Sequence, residues 1–220
     1  MHCLGGRVLK PEILDTLPAE QARPNLIDLA RINRRWGGLS TLRKLIAESI
    51  PAHEDVCVLD VGAASGDMGA EIGAMRPRAR VTSLDYIEWH LETCPGPRVA
   101  GDAFALPFRP KSFDYVFNSL FLHHFTDQQV VDLLAEFGAV ARRSVLTIDL
   151  LRHPVPYYFI SKTRWLLGWH PVSVYDGAIS VEAAFKPSEL ISLARKAGLR
   201  EPRAHTYIPA FRIAMSAQAG

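Results

Sequence analysis

One carboxylate and several small residues follow the first apolar run, and these residue types suit a ligand-binding loop. The run 56–61 is rich in β-branched residues, which is typical of a strand buried on both faces of a parallel sheet. Asp60 interrupts it, and Gly62, Ala63 and Gly66 come next. Small residues let a ligand approach the backbone, and a helix beginning near Gly66 would direct free N–H groups towards a ligand anion. The stretch predicts a strand–loop–helix unit that binds a nucleotide-type ligand.

A second carboxylate ends the next apolar run. Asp85 comes 19 positions after Gly66, close to the interval of about 20 residues at which an acidic side chain meets a ribose in dinucleotide folds. Its two acceptor oxygens could take both hydroxyl protons of a vicinal diol. We therefore predict that Asp85 binds a ribose.

The loop discriminates between NAD(P) and S-adenosylmethionine as the ligand. A dinucleotide loop has the pattern G-x-G-x-x-G, because the pyrophosphate presses on the backbone. The corresponding residues here are Gly62, Ala64 and Asp67. The charge of Asp67 would repel a pyrophosphate, but it would be harmless or favourable beside a sulfonium and an ammonium group. The loop therefore favours S-adenosylmethionine.

Two adjacent histidines follow the fourth predicted strand. His123 and His124 would lie at the carboxyl ends of the strands, where open α/β sheets bind their ligands. Histidine changes charge near neutral pH, so either one could take a proton from a phenol or an enol. The pair could equally cap the next helix or touch the cofactor. Further candidates follow the fifth predicted strand or lie at its end: Asp149, His153, Tyr157, Tyr158, Tyr175 and Asp176.

The elements that would position these residues alternate between strand and helix. Apolar runs predict strands over 56–61, 80–85, 97–100, 113–120 and 144–150, with helices over about 66–76, 88–91 and 128–141 between them. A helix from Pro187 to Gly198 and two short strands, 203–208 and 211–217, complete the chain. The prediction is an α/β, Rossmann-like sheet of seven strands, mostly parallel, with a C-terminal antiparallel hairpin at its edge and helices on both faces.

Two segments outside this alternation are expected to cover the ligand cleft. Residues 1–50 are predicted to form an extended lead-in and an N-terminal helical cap, with helices over 24–35 and 40–50. The basic residues at 33–36, where the first helix ends, could cover the cleft or could equally be a solvated surface. Residues 151–186 form an insertion rich in proline and aromatic residues, within which a helix is expected to end at Gly168. The residues that we expect to contact a small-molecule substrate are Trp36, Tyr157, Tyr158, Trp165 and Tyr175.

Composition excludes several classes of protein. The 220 residues fit one domain, and a net charge of +2 is no nucleic-acid signature. Cys3, Cys57 and Cys94 have neither metal nor disulfide spacing. The N-terminus lacks a signal-peptide core, and no apolar run approaches the ~20 residues of a membrane span. We expect a cytoplasmic monomer or homodimer with no metal site.

Four motifs in order resemble those of class I S-adenosylmethionine-dependent methyltransferases. They are most similar to the small-molecule branch that includes the ubiquinone and menaquinone biosynthesis enzymes. The motifs are V-L-D-V-G-A-A-S-G, the acid of S-L-D-Y, G-D-A-F-A-L-P-F and F-D-Y-V-F-N-S-L-F-L-H-H-F, and they lie within about 56–150. The family usually has D-x-G-x-G-x-G, and Ala64 replaces its middle glycine. The resemblance implies a single methyltransferase domain over 51–220, with the acceptor site at 151–186.

The resemblance also implies roles for individual residues. Asp60 and the 62–66 backbone would hold the methionine part, and Asp85 the ribose, with Tyr86 or Ile87 packing on the adenine. Asp102 and the Ala103 N–H would bind the adenine edge, and Phe104 would line that pocket. Asn118 and Ser119 would lie at the sulfonium end. The acceptor would be a small aromatic, quinone or polyketide-like molecule, methylated on oxygen or activated carbon.

Two other functions compete with methyl transfer. Tyr158 and Lys162 form the Y-x-x-x-K pattern of short-chain dehydrogenases, with Ser144 upstream, although Met68 stands where that family needs a glycine. A catalytically silent subunit that keeps the cofactor fold is the second alternative.

Overall fold

The computed structural model describes residues 5–13, 20, 31–208 and 210–220. Its strands are β1 (Val56–Val61), β2 (Ala79–Asp85), β3 (Arg98–Ala100), β4 (Phe113–Ser119), β5 (Ala141–Leu150), β6 (Arg200–Tyr207) and β7 (Arg212–Gln218). Its helices are α1 (Gly38–Ser49), α2 (Asp67–Met75), α3 (Asp127–Val140), α4 (Pro154–Leu167), α5 (Pro171–Ala183) and α6 (Pro187–Lys196), and two 3-10 turns span Glu88–Thr93 and Leu122–His124.

The seven strands form one sheet in the order β3-β2-β1-β4-β5-β7-β6. Strands β1 to β5 pair in parallel, whereas β7 pairs antiparallel with both β5 and β6. The predicted Rossmann-like sheet with a C-terminal antiparallel hairpin is confirmed. Because the parallel strands point the same way, the residues after β1, β2, β4 and β5 meet at one edge.

Each face of the sheet buries its own apolar cluster. One cluster includes the apolar stripe of α3, from Val130 to Phe137, and residues of α6; the other packs α1 and α2 against β1, β4 and β5. Helix α3 begins at a capping box, in which the Thr126 hydroxyl accepts from the Gln129 N–H. The helices therefore lie on both faces, as the alternation of elements predicts.

The insertion contains two helices, α4 and α5, of which the sequence predicts only the first, ending at Gly168. Proline stands at the first position of both α4 and α5, and the side chains of His153 and His170 accept from the N–H groups two residues on. Gly168, with a φ of 65°, ends α4 in the left-handed conformation.

The structure describes only part of the predicted N-terminal cap. Residues 31–35 are helical and α1 lies close to its predicted bounds, whereas residues 24–30 and Cys3 lie outside the described part. Residues 5–13 are an extended segment that hydrogen-bonds to α5, for example from the Val8 N–H to the Glu182 carbonyl at 3.1 Å. We call residues 5–13 the N-terminal strap. No helix within the described ranges combines the length and apolarity that crossing a membrane requires.

Candidate cofactor and acceptor site

The loop between β1 and α2 is shaped by left-handed residues and close neighbours. Gly62 has a φ of 68°, and a Cβ there would lie 2.5 Å from the ring of Phe121; Gly66 has a φ of 73°, and a Cβ there would lie 2.6 Å from the Cys94 sulfur. Glycine is required at both positions because a side chain would meet both strain and a clash. The Cys94 thiol also donates to the Ala64 carbonyl at 3.4 Å. Phe121 and Cys94 therefore hold the loop tightly from two sides.

Asp85 fastens the same loop to the end of β2. Its carboxylate accepts from the Ala64 N–H at 2.9 Å and from the Ile87 N–H at 3.0 Å, and the His90 ring nitrogen lies 3.1 Å from it. The side chain is almost buried. Tyr86, which comes next, is 78% exposed. Asp85 thus lies against the loop, as the spacing predicts, with an uncovered aromatic ring beside it.

Asp60 is a buried carboxyl group at the base of the loop. It accepts from the Gly69 N–H in the first turn of α2 and is 1% exposed. Burial, reinforced by the charges of Asp67 and Asp85, raises the pKa of Asp60 to about 8. One of its oxygens has no partner among the described residues. At neutral pH Asp60 therefore holds a proton, and the negative charge beside the loop comes from Asp67 and Asp85, which suits a cationic ligand and opposes a pyrophosphate.

The residues after β3 form a turn with an aromatic flank. The Asp102 carboxylate accepts from the Phe104 N–H at 2.9 Å, so it stabilises its own turn. Ala103 is buried, and Phe104 is 39% exposed. The Phe104 ring packs edge-on against Phe125 at 5.3 Å, and Phe125 packs against Phe121 at 5.0 Å. This aromatic row connects the predicted adenine pocket to the ring that covers Gly62.

Asn118 and Ser119 end β4, but they differ in exposure. Asn118 is fully buried and donates to the Thr147 hydroxyl at 3.0 Å, across to β5. The amide oxygen of Asn118 and the hydroxyl of Ser119 lack partners among the described residues. A buried acceptor without a partner is costly, so these atoms mark a place where a ligand or water would be favoured.

His123 lies at the centre of a buried charged group. Its Nδ1 is 2.6 Å from Asp149 at the end of β5, and its Nε2 is 3.6 Å from Glu12. Burial alone would lower the pKa of His123, but the charges and hydrogen bonds of Asp149 and Glu12 outweigh it and raise the pKa to about 10. Burial would raise the pKa of Glu12, but the hydrogen bond from His123 and the nearby His124 lower it to about 2. At neutral pH, this group therefore contains a cation between two anions.

His124 stacks on His123, with 4.3 Å between ring centroids, and is more exposed. Its Nδ1 lies 3.9 Å from Glu12. The sequence indicated the two histidines and Asp149, but Glu12 was missed. It sits in a segment without periodicity, more than 100 residues away in the chain.

Comparison with known proteins agrees with this arrangement. The methyltransferase domain family matches residues 58–144. No match was found among curated protein sequences. The fold is shared with an S-adenosylmethionine-dependent methyltransferase from Aquifex aeolicus, at 16% identity and a TM-score of 0.61, over 81% of this chain and 89% of that one. Residues 58–144 thus match the methyltransferase domain family, within a fold shared with S-adenosylmethionine-dependent methyltransferases, and we call them the methyltransferase domain.

Two further structures with the methyltransferase fold extend over more of this chain. A chain from the complex between the Haloferax volcanii Trm112 methyltransferase activator and its candidate methyltransferase has 14% identity and a TM-score of 0.65, over 96% of this chain and 99% of that one. Human N-acetylserotonin methyltransferase, solved with S-adenosylmethionine, has 18% identity and a TM-score of 0.58, over 94% of this chain. This chain spans 61% of the human enzyme and 56% of a Nostoc punctiforme relative. The closer resemblance to quinone-biosynthesis enzymes stays a prediction.

The residues of the methyltransferase domain fit its methyl donor. The loop leaves no room for side chains at Gly62 and Gly66, Asp85 is held against it, and the surrounding carboxyl groups favour a positive ligand. These observations match a nucleoside that carries a sulfonium and an ammonium group. They do not match the pyrophosphate of a dinucleotide.

The insertion brings some of the predicted substrate residues together and separates others. Trp36 packs edge-on against Phe159 of α4, with 4.6 Å between centroids, so the N-terminal helix meets the insertion. Tyr157 lies beside Glu182 and Lys10, and the Lys10 amine binds Glu182 at 2.6 Å. Tyr158 is 38%, Tyr175 51% and Trp165 93% exposed. Trp165 therefore faces solvent, whereas Tyr157 lies next to the strap.

The other candidates in the insertion have structural contacts. His153 caps α4, and the Asp176 carboxylate accepts from the Ile13 N–H of the strap at 2.9 Å.

The dehydrogenase pattern is not assembled. Ser144 lies six residues before the end of β5, roughly 20 Å from the edge where α4 begins. The structure thus offers no Ser–Tyr–Lys site.

Proposed function

We propose that this chain transfers a methyl group from S-adenosylmethionine to the oxygen or an activated carbon of a small acceptor. The observation that carries the proposal is that the acidic loop around Asp85 and the charged group around His123 lie at the same edge of the sheet. Methyl transfer is a displacement on carbon that the sulfonium already activates. Orientation of the two reactants can supply about 7–11 kcal/mol of the required acceleration.

The proposed cofactor residues follow the carboxyl ends of the strands. The loop and Asp60 hold the methionine part, Asp85 the ribose, and Tyr86 the adenine face. Asp102, Ala103 and Phe104 surround the adenine edge. Asn118 and Ser119 are proposed at the sulfonium end, because their unpartnered buried oxygens would gain from a positive group nearby.

The acceptor is proposed to lie between the sheet edge, the strap and the insertion. Tyr157 and Tyr175 both lie near Lys10 of the strap, so aromatic rings from α4 and α5 face a segment that carries Glu12. Such walls suit a small aromatic, quinone or polyketide-like molecule rather than a nucleic acid. Trp36 and Tyr158 belong to the same proposal, and Trp165 would take part only if the acceptor extends to the outer surface of α4.

The two histidines are the proposed catalytic residues, with different tasks. His123 is 4% exposed and held by Asp149, so it orients the neighbouring groups. His124 has a 25% exposed side chain, and we propose that it contacts the acceptor. General-base groups typically contribute 10²–10⁴-fold in rate.

An assay of S-adenosylhomocysteine release over a panel of phenols and quinols tests this function. We expect turnover with at least one acceptor. The His124→Gln variant should lower turnover by about 100-fold or more while its affinity for S-adenosylhomocysteine stays at the wild-type value. If the variant loses cofactor affinity and turnover to the same degree, His124 belongs to the cofactor site, and the proposed role is wrong.

A further inference from the structure

Three potential metal ligands converge beside the proposed acceptor site. The ligand atoms of Glu12, His123 and His124 all lie within 4.8 Å of one another. The Glu12 oxygen is 3.6 Å from His123 Nε2 and 3.9 Å from His124 Nδ1. In a tetrahedral site with bonds of about 2.1 Å, neighbouring ligand atoms are about 3.4 Å apart. The two Glu12 distances exceed this value by about 0.5 Å or less, and the two histidine nitrogens lie within 4.8 Å of each other, so side-chain movements would bring the three atoms to coordination distance.

The hydrogen bonds around these three residues are of the kind that orient metal ligands. Asp149 lies 2.6 Å from His123 Nδ1, which turns Nε2 of the same ring towards Glu12. Metal-bound histidines almost always bond to a carboxylate or carbonyl through their other nitrogen in this way. Asp149 is in turn fixed by the Leu150 N–H at 2.7 Å, and the Ser180 hydroxyl donates to Glu12. Both His123 and Asp149 are buried, so the ligand set is held before an ion arrives.

We propose that Glu12, His123 and His124 bind a divalent transition-metal ion of the Zn²⁺ class. Two imidazoles and one carboxylate suit Zn²⁺, Co²⁺ and similar ions better than Mg²⁺ or Ca²⁺, which prefer oxygen ligands. Three protein ligands leave a fourth position open, as in catalytic rather than structural sites. Coordination at His123 Nε2 releases the proton held there to solvent.

The ion would have two effects on the molecule. It would join the strap to the 3-10 turn Leu122–His124, because one ligand comes from the strap and two from the turn. Its open position would also face the proposed acceptor site, where the ion could bind an acceptor oxygen and favour its deprotonated form; with His124 bound to the ion, this would take the place of proton removal by His124. Only this second effect depends on the proposed methyl-transfer function; ion binding does not.

Metal titration of the full chain tests the site. Chelator-treated wild-type protein should bind one Zn²⁺ per chain by calorimetry, and Co²⁺ should give the intense visible absorption of a four-coordinate ion. Glu12→Gln and His124→Ala should each weaken Zn²⁺ binding at least about tenfold. Asp149→Asn should weaken it by about 10–100-fold, as expected of a carboxylate that orients a ligand.

Controls separate loss of the site from loss of the fold. His205→Ala alters an exposed histidine of β6 and should keep wild-type affinity. Thermal unfolding without metal, together with S-adenosylhomocysteine binding, should show that Glu12→Gln and His124→Ala are folded and bind the cofactor. Folded wild-type protein that binds neither Zn²⁺ nor Co²⁺ would overturn the proposal, as would unchanged affinity in both ligand variants. S-adenosylhomocysteine binding by metal-free protein tests the methyltransferase function separately.

Discussion

At the residue scale, Ala64 has a backbone conformation that glycine adopts more easily. Its φ is 45°, and the left-handed region costs an L-residue about 1–2 kcal/mol. We expect Ala64→Gly to raise the free energy of unfolding by about 1 kcal/mol, since relief of this strain exceeds the entropic cost of glycine. Urea unfolding measures the change. The matched control is Ala70→Gly on the exposed face of α2, which should lower stability by about 1 kcal/mol; a loss in both variants would show that Ala64 is unstrained.

Asp60 predicts a pH dependence of stability. Its pKa is raised to about 8 from the ordinary aspartate value of 3.8, so between these values the folded protein holds a proton that the unfolded chain releases. The contribution of Asp60 is therefore present in full at low pH, falls as the pH rises from about 4 to 8, and levels off above that. Replacement by asparagine should abolish this fall.

Urea unfolding at pH 6 and pH 8.5 measures the effect. The wild type should lose more stability over this interval than Asp60→Asn, while Asp132→Asn, an exposed change on α3, should behave as the wild type. If the wild type and Asp60→Asn lose the same unfolding free energy between pH 6 and pH 8.5, Asp60 is ionised throughout this range.

At the element scale, Arg7 makes several of the contacts that attach the strap to the rest of the protein. Arg7 donates to the carbonyls of Ala183 at 2.7 Å and Phe125 at 2.9 Å, and its guanidinium lies 4.0 Å from the Phe185 ring centroid. We expect Arg7→Ala to lower stability by about 2 kcal/mol, because hydrogen bonds from a charged donor are lost and two carbonyls lose a partner. Limited proteolysis should then cut the strap faster. Lys10→Ala removes a single ion pair whose lysine end is 46% exposed, so it should lower stability less than Arg7→Ala; equal protection of the strap in both variants would contradict the anchoring role.

The sheet could be predicted from sequence, whereas parts of its cover could not. Continuous apolar runs and the spacing of Gly62, Gly66 and Asp85 indicate β1, β2 and the loop, because backbone conformation and burial there depend on local residue types. Helix α5 was missed: its proline and aromatic residues resemble those of an irregular loop, and its N-cap is a histidine, which is uncommon in this position.

The candidate site also has residues that could be predicted from sequence and residues that could not. The carboxyl ends of the strands place Asp85, Asp102, His123 and Asp149 at one edge by topology alone. Glu12 reaches this edge through tertiary contacts of the strap, such as Ile13 with Asp176, and no local pattern encodes them. The bonds of Asp85 to the loop, and the buried position of Asn118, likewise depend on the packed structure.

At the scale of the whole molecule, three parts of the chain meet at one edge of the sheet. The methyltransferase domain supplies the loop and strand ends, the insertion supplies aromatic side chains, and the strap supplies Glu12. We expect cofactor binding to depend on the methyltransferase domain alone. A chain without residues 1–13 should therefore keep its affinity for S-adenosylhomocysteine within about threefold while losing turnover, and loss of both would show that the strap builds the cofactor site.

The most direct test of the central claim is calorimetric titration of the full chain with S-adenosylhomocysteine, NADH and NADPH in parallel. We expect S-adenosylhomocysteine to bind and neither dinucleotide to bind, because carboxyl groups surround the loop. Asp85→Ala should weaken that binding by at least ~1.5 kcal/mol, or about tenfold, since charge-assisted hydrogen bonds to the ribose are lost. Binding of NADH or NADPH without S-adenosylhomocysteine would contradict the account, and an unchanged affinity in Asp85→Ala would contradict the ribose assignment.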